Sequence, residues 1–239
     1  MTIDYIDEVR IEAAALHSAV ESHPDAMVAA CPDWTVAQLI GHVGQVYSGM
    51  GHIVRTRAET FVTDGFKVRA PEGPLLSAWF EERTMQILED LEGIDEDTPV
   101  WTWGPEANGR FYHRRMAQET TVHRWDAEAA AGPASPIDAD LAHDGIEELL
   151  AVGMRASTQG PRNPDVEGSL HLHRTDGDGE WLLRTDNGQL IVTHEHAKGD
   201  AAVRGSASAL LLYLWGRSAA DVEIFGDESV AAAWAALAP

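Results

Sequence analysis

The chain has 239 residues, 44% of them hydrophobic and 8 of them tryptophan, enough apolar material for one large domain or two modest ones. Its 17 Lys and Arg stand against 39 Asp and Glu, and a formal net charge of -22 repels nucleic-acid phosphates and anionic lipid, so neither nucleic acid nor membrane is expected as a partner. The single cysteine, Cys31, excludes an intrachain disulfide and a structural zinc finger; with an acidic N-terminus and no apolar run near membrane-spanning length, a cytoplasmic protein is expected.

Ile3, Ile6, Val9, Ala13, Leu16 and Val20 recur at three- and four-residue steps and predict a first helix ending near His23-Pro24. Thr35 and Gln38 have the spacing of a capping box, which starts a second helix at Val36. That helix runs past Ile53 and stops before Thr63-Asp64-Gly65. Its glycines at 41, 44, 49 and 51 each cost up to about 1 kcal/mol relative to alanine, a cost that close helix packing offsets. A third helix is predicted from Leu75 to Leu91, stopped by Gly93. The aromatic loop Val100-Trp101-Thr102-Trp103 follows, then a fourth helix from about Arg110 to Ala131 and a fifth from Asp138 to Met154. Four long helices of this kind suit an antiparallel bundle.

Beyond Gly160-Pro161 the period shortens to two. Leu170 and Leu172 alternate with His171 and His173, and Trp181-Leu182-Leu183 and Leu190-Ile191-Val192 follow after Asp/Gly turns, predicting three strands of an antiparallel sheet. A helix over 206–216, a strand over 222–225 and a terminal helix around 230–237 complete an α+β unit. The expected domains are 1–158 and 159–239.

Glu119 and His123 are four apart, so on a helix they share a face and can converge on one ion, or form a hydrogen bond with no ion between them. His42 lies on an otherwise apolar helix and needs a polar partner, either a backbone carbonyl or, where the second and fourth helices are neighbours, the Glu119/His123 pair. A His/His/Glu set leaves the fourth zinc position open for water or substrate. Asp126, three residues beyond His123, is placed to orient that ligand or Arg124. His171/His173 and His194/His196 are expected to face solvent, with metal binding as the alternative. Cys31 reads as a packed residue at a helix entrance before it reads as a nucleophile.

The stretches Cys31-Pro32-Asp33-Trp34-Thr35-Val36-Ala37-Gln38-Leu39-Ile40-Gly41-His42 and Glu119-Thr120-Thr121-Val122-His123-Arg124-Trp125-Asp126 resemble two motifs of the mycothiol-dependent maleylpyruvate isomerase family of Actinobacteria. The resemblance implies an N-terminal DinB-like four-helix bundle followed by a small sterol-carrier-like α+β domain, with His42, Glu119 and His123 as metal ligands. It also implies a divalent metal, zinc by expectation, with mycothiol as cosubstrate, and a basic residue of the second domain that holds an acidic substrate. Arg204 and Arg217 both qualify, and Trp101 and Trp103 are candidates for lining a cofactor pocket. The expected function is therefore thiol transfer or isomerisation of a small electrophilic substrate by a monomer. A hydrolase that activates water on the metal and a non-catalytic metal- or small-molecule-binding protein are the alternatives.

Overall fold

The computed structural model describes residues 3–162 and 165–237. The chain divides into two compact units, Met1–Ser135 and Pro136–Pro239.

The first unit is a bundle of four helices, α1 (Tyr5–Ser22), α2 (Val36–Thr56), α3 (Leu75–Glu92) and α4 (Gly109–Ala131), with a short 3₁₀ turn at Asp64–Lys67. Three of the four starts, those of α1, α2 and α4, are capped by a side chain. Asp4 accepts the backbone N–H of Asp7 at 3.1 Å, and Asn108 accepts that of Phe111 at 3.3 Å. At α2 the expected capping box is formed in both directions: Gln38 N–H donates to Thr35 Oγ1 at 3.3 Å, and Thr35 N–H donates to Gln38 Oε1 at 2.9 Å. The helix ends where Arg57 turns left-handed, at φ 48.

Within the bundle α1 packs chiefly on α4 and α2 on α3. Val9, Leu16, Leu39, Ile40, Ile53, Phe80 and Ile87 fill the space between them. The glycines of α2 are explained by closeness: a Cβ on Gly44 stands 2.4 Å from the Trp79 ring of α3, and one on Gly49 2.3 Å from the Phe66 ring. Polar pairs tie the helices across the core. Arg124 Nε of α4 meets Glu12 Oε2 of α1 at 2.6 Å, and the Tyr47 hydroxyl of α2 meets Thr120 Oγ1 of α4 at 2.7 Å. Among the described residues no helix is long and apolar enough to cross a membrane.

The second unit opens with α5 (Ala139–Glu148), which continues as a single π-helical turn, Leu149–Gly153, instead of the uninterrupted helix expected to Met154. Short strands β1 (Ala156–Ser157) and β2 (Gly160–Pro161) pair with each other. The main sheet contains β3 (Leu170–Arg174), β4 (Glu180–Asp186), β5 (Gln189–Thr193), β6 (Ala201–Gly205) and β7 (Glu223–Gly226) in the order β5-β4-β3-β6-β7. Helices α6 (Ala207–Leu214) and α7 (Glu228–Ala235) pack on β3 and β6.

Three expectations change here. The sheet is five-stranded and mixed, because β6, absent from the sequence reading, inserts parallel to β3 and antiparallel to β7. His171, expected to face solvent, is 6% exposed. The stretch 136–158, expected to belong to the bundle, lies in the second unit. The apolar side of α5, with Leu141 and Ile146 buried, packs on α6, and Ile137 N–H donates to Ser208 Oγ at 3.0 Å.

Candidate metal centre

Helices α2 and α4 are neighbours in the bundle, and this brings His42 to the Glu119/His123 pair. Glu119 Oε1 lies 3.3 Å from His123 Nε2 and 3.6 Å from His42 Nε2. One ligand atom from each of the three residues falls within 4.8 Å of the others. The imidazoles meet edge to face, their centroids 5.4 Å apart at 86°. Exposure is graded across the set, with the side chains of His123, Glu119 and His42 at 11%, 18% and 36%, so the cluster opens to one side at His42.

The surroundings fix these groups. Asp126, whose carboxylate is fully buried, accepts a hydrogen bond from His123 Nδ1 at 3.0 Å and thereby turns Nε2 toward Glu119. The neighbouring Arg124 is engaged elsewhere, with Glu12 and Glu128. Arg115, one turn before Glu119, brings Nη2 to 3.5 Å from Oε2, leaving Oε1 to the two histidines. Trp34 packs against His42 with ring centroids 5.1 Å apart.

Burial works to raise the Glu119 pKa, but hydrogen bonds from His123 and His42 and the positive charges of His123 and Arg115 outweigh it and hold the carboxyl well below its ordinary value. For His123 burial favours the neutral ring, yet Asp126 and Glu119 together push its pKa up to about 9. The metal-free cluster is therefore an imidazolium clasped between two carboxylates. Two imidazole nitrogens and one carboxylate oxygen, with the second nitrogen of His123 already held by an acid, make a donor set that fits zinc and leaves a coordination position free.

A cavity of about 380 Å³ adjoins His42, bordered also by Trp34, Gln38, Gln45, Glu72 and Leu76. Gln45 donates to the Val68 carbonyl at 2.8 Å, which secures the segment that forms the far wall. Arg115 and the cavity residues on this segment are absent from the sequence reading. Arg115 is detectable there as the i, i+4 partner of Glu119; Glu72 sits in a loop that carries no pattern.

Four further site residues were expected, two in each unit. Trp101 borders a cavity of about 490 Å³ that shares no lining residue with the one at His42. Trp103 stands edge-on to Phe111 at 4.7 Å, within an aromatic cluster. Arg204, on β6, pairs with Glu223 at 3.1 Å, and Arg217, after α6, donates to the Trp215 carbonyl at 2.8 Å with its guanidinium 5.4 Å from that ring's centroid.

Bundle, cluster and mixed sheet define a class: a helical unit with an inward His/His/Glu set, followed by a small α+β unit. Residues 7–128 match the family model described as the mycothiol maleylpyruvate isomerase N-terminal domain, and residues 140–233 match the one described as the MDMPI C-terminal domain. The chain belongs to the mycothiol maleylpyruvate isomerase family. Crystal structures of the mycothiol-dependent maleylpyruvate isomerase and of a point mutant of it share the fold at 14% identity, with TM-scores of 0.58 and 0.59 over 92% of this chain and 91% of theirs. No curated protein matches.

Proposed function

We propose that His42, Glu119 and His123 hold one divalent metal ion, by preference zinc, and that the protein uses it with a low-molecular-weight thiol such as mycothiol to modify a small electrophilic substrate by thiol transfer or isomerisation. The observation that carries this reading is the convergence of two imidazole nitrogens on Glu119 Oε1, at 3.3 and 3.6 Å, beside a cavity. An ion in such a set supplies strong acidification of a bound thiol, so that the sulfur is nucleophilic at neutral pH.

The chain's own residues supply position. When an ion displaces the Nε2 proton of His123, Asp126 would hold Nδ1–H and so leave the Nε2 lone pair facing inward, while Arg115 occupies the outer oxygen of Glu119. Trp34 and Leu76 give the cavity apolar surface, while Gln38, Gln45 and Glu72 offer hydrogen-bonding groups to a polar thiol cosubstrate. Cys31 is the sole cysteine, and an external thiol relieves the chain of providing the sulfur itself. Arg204 and Arg217 are the candidates of the second unit for holding an acidic substrate, tested by whether Arg204→Gln or Arg217→Gln raises the KM of such a substrate and leaves a neutral one unaffected.

Elemental analysis of the wild type beside His42→Ala, Glu119→Ala and His123→Ala tests the ligand set, each variant being expected to lose bundle-bound zinc. Titration of mycothiol onto zinc-loaded protein is expected to give saturable binding that His42→Ala abolishes. Absence of binding at about millimolar thiol overturns the thiol reading, and turnover of an ester or amide without added thiol assigns metal-assisted hydrolysis in its place.

A further inference from the structure

The second unit carries its own convergence of ligating side chains. In β3 the two-residue period puts His171 and His173 on one face. Glu180 of β4 stands in register with His173, and His196 arrives from the segment after β5. His171 Nε2 lies 2.5 Å from Glu180 Oε2, while His173 Nδ1 and His196 Nδ1 lie 2.7 and 3.0 Å from Oε1. The three rings are 5.3 to 6.2 Å apart, each pair close to edge-on.

Three imidazoles gathered on one carboxylate make a costly arrangement if nothing else is bound. Ordering four side chains opposes their own entropy, and any two rings that are protonated together repel at these distances. A divalent cation reverses the balance, because the imidazole lone pairs and the carboxylate then share one attractive centre. One ligand atom each from His171, Glu180 and His196 lies within 4.8 Å of the other two. Two nitrogens and one oxygen favour zinc and its neighbours over calcium or magnesium, which require oxygen ligands. The side chain of His171 is 7% exposed and that of His196 78%, so the floor of the cluster is fixed and its rim is open. Beside it lies a cavity of about 340 Å³ bordered by His171, His196, Lys198, Asp200 and Phe225.

We infer that His171, Glu180 and His196 form a second divalent transition-metal site, with His173 orienting the Glu180 carboxylate from outside the coordination shell. The ion fastens β3, β4 and the segment after β5 to one another and leaves a coordination position toward the adjoining cavity. The inference uses no residue of the first unit and stands whether or not the thiol chemistry proposed above is correct.

The test uses the full chain carrying His42→Ala and His123→Ala, which removes the bundle set. Dialysed against zinc and then against metal-free buffer, this variant is expected to retain about one equivalent. Adding His196→Ala, a change at an exposed position, is expected to weaken that zinc by at least about tenfold in a chelator competition, and Glu180→Gln to do the same. Cobalt loaded in place of zinc is expected to show visible ligand-field bands that His196→Ala diminishes. The inference fails if the double variant holds no zinc, or if its zinc and cobalt signals are unchanged by both His196→Ala and Glu180→Gln. Loss of zinc from the wild type on His42→Ala reports on the bundle alone, so the two readings fail separately.

Discussion

His123 is gripped from both ends, by Asp126 at Nδ1 and Glu119 at Nε2. Asp126→Asn keeps the shape and removes the charge, so the expected outcome is zinc affinity about 10- to 100-fold weaker with unchanged helix content, measured by competition with a chromophoric chelator and by circular dichroism. A second buried pair has a different role. Arg124, 5% exposed, rests on Glu12 and also reaches Glu128 at 3.0 Å, so Glu12→Ala removes one of its two carboxylate partners; we expect a loss of about 1.5 to 3 kcal/mol in urea unfolding, above that of an exposed acid. Some of this detail was legible in the residues themselves. Four-residue spacing on a helix fixes a shared face for Glu119 and His123, and three-residue spacing brings Asp126 within reach of His123. His42 was a weaker inference because its partner lies on another helix, and spacing along one helix says nothing about the neighbour. The burial of His171 was illegible for a related reason: alternation separates two faces of a strand without saying what covers each.

At the scale of the element, α2 shows how sequence sets packing distance. Gly44→Ala forces a Cβ to 2.4 Å from the Trp79 ring, and because that ring is half-buried and can shift, we expect a loss of about 1 to 3 kcal/mol in denaturant unfolding and no collapse of the fold. The start of α6 carries a pH dependence. Asp176 accepts hydrogen bonds from Arg174 Nε at 2.7 Å and from Ala207 N–H at 3.0 Å. Burial works to raise its pKa, but Arg174 and the Ala207 amide outweigh burial and lower it from 3.8. A carboxyl more acidic in the folded state stabilises fully above its ordinary pKa and loses that contribution as pH falls through the folded value. The urea midpoint of the wild type should therefore fall more steeply than that of Asp176→Asn between about pH 5 and pH 2. Helices α1 to α4 were readable from their apolar period, and at α2 the Thr35/Gln38 capping box agrees with it. Strand β6 was not, since Ala201-Ala202-Val203-Arg204-Gly205 has little of the β-branched and aromatic bulk that marks a strand, and its place is assigned by its neighbours. The π-helical turn after α5 likewise leaves no signature in the apolar pattern of Leu149-Leu150-Ala151-Val152.

For the whole molecule, any ion bound only by the folded chain raises its stability by mass action, by about 2.7 kcal/mol at a hundredfold excess over Kd. Chelator is expected to lower the thermal midpoint of zinc-loaded protein, zinc to restore it, and His42→Ala to shrink the restored shift; a midpoint indifferent to zinc in calorimetry contradicts this. The change from helical to alternating period announced two units, but the boundary fell at Ser135 and not at 158. Periodicity records what kind of element a segment forms; it does not record which unit that element packs on, and α5 is helical while packing on α6. The parallel pairing of β3 with β6 has a further consequence, for the order in which the molecule is made. Strands β3, β4 and β5 are joined by short turns and pair as neighbours, whereas Leu170 must wait for Ala201 to leave the ribosome. Until then the free side of β3 displays unpaired amides and carbonyls, an invitation to other nascent chains. A fragment that stops just before Ala201 is therefore expected to self-associate more readily than the chain that includes β6, and light scattering of the two side by side measures the difference.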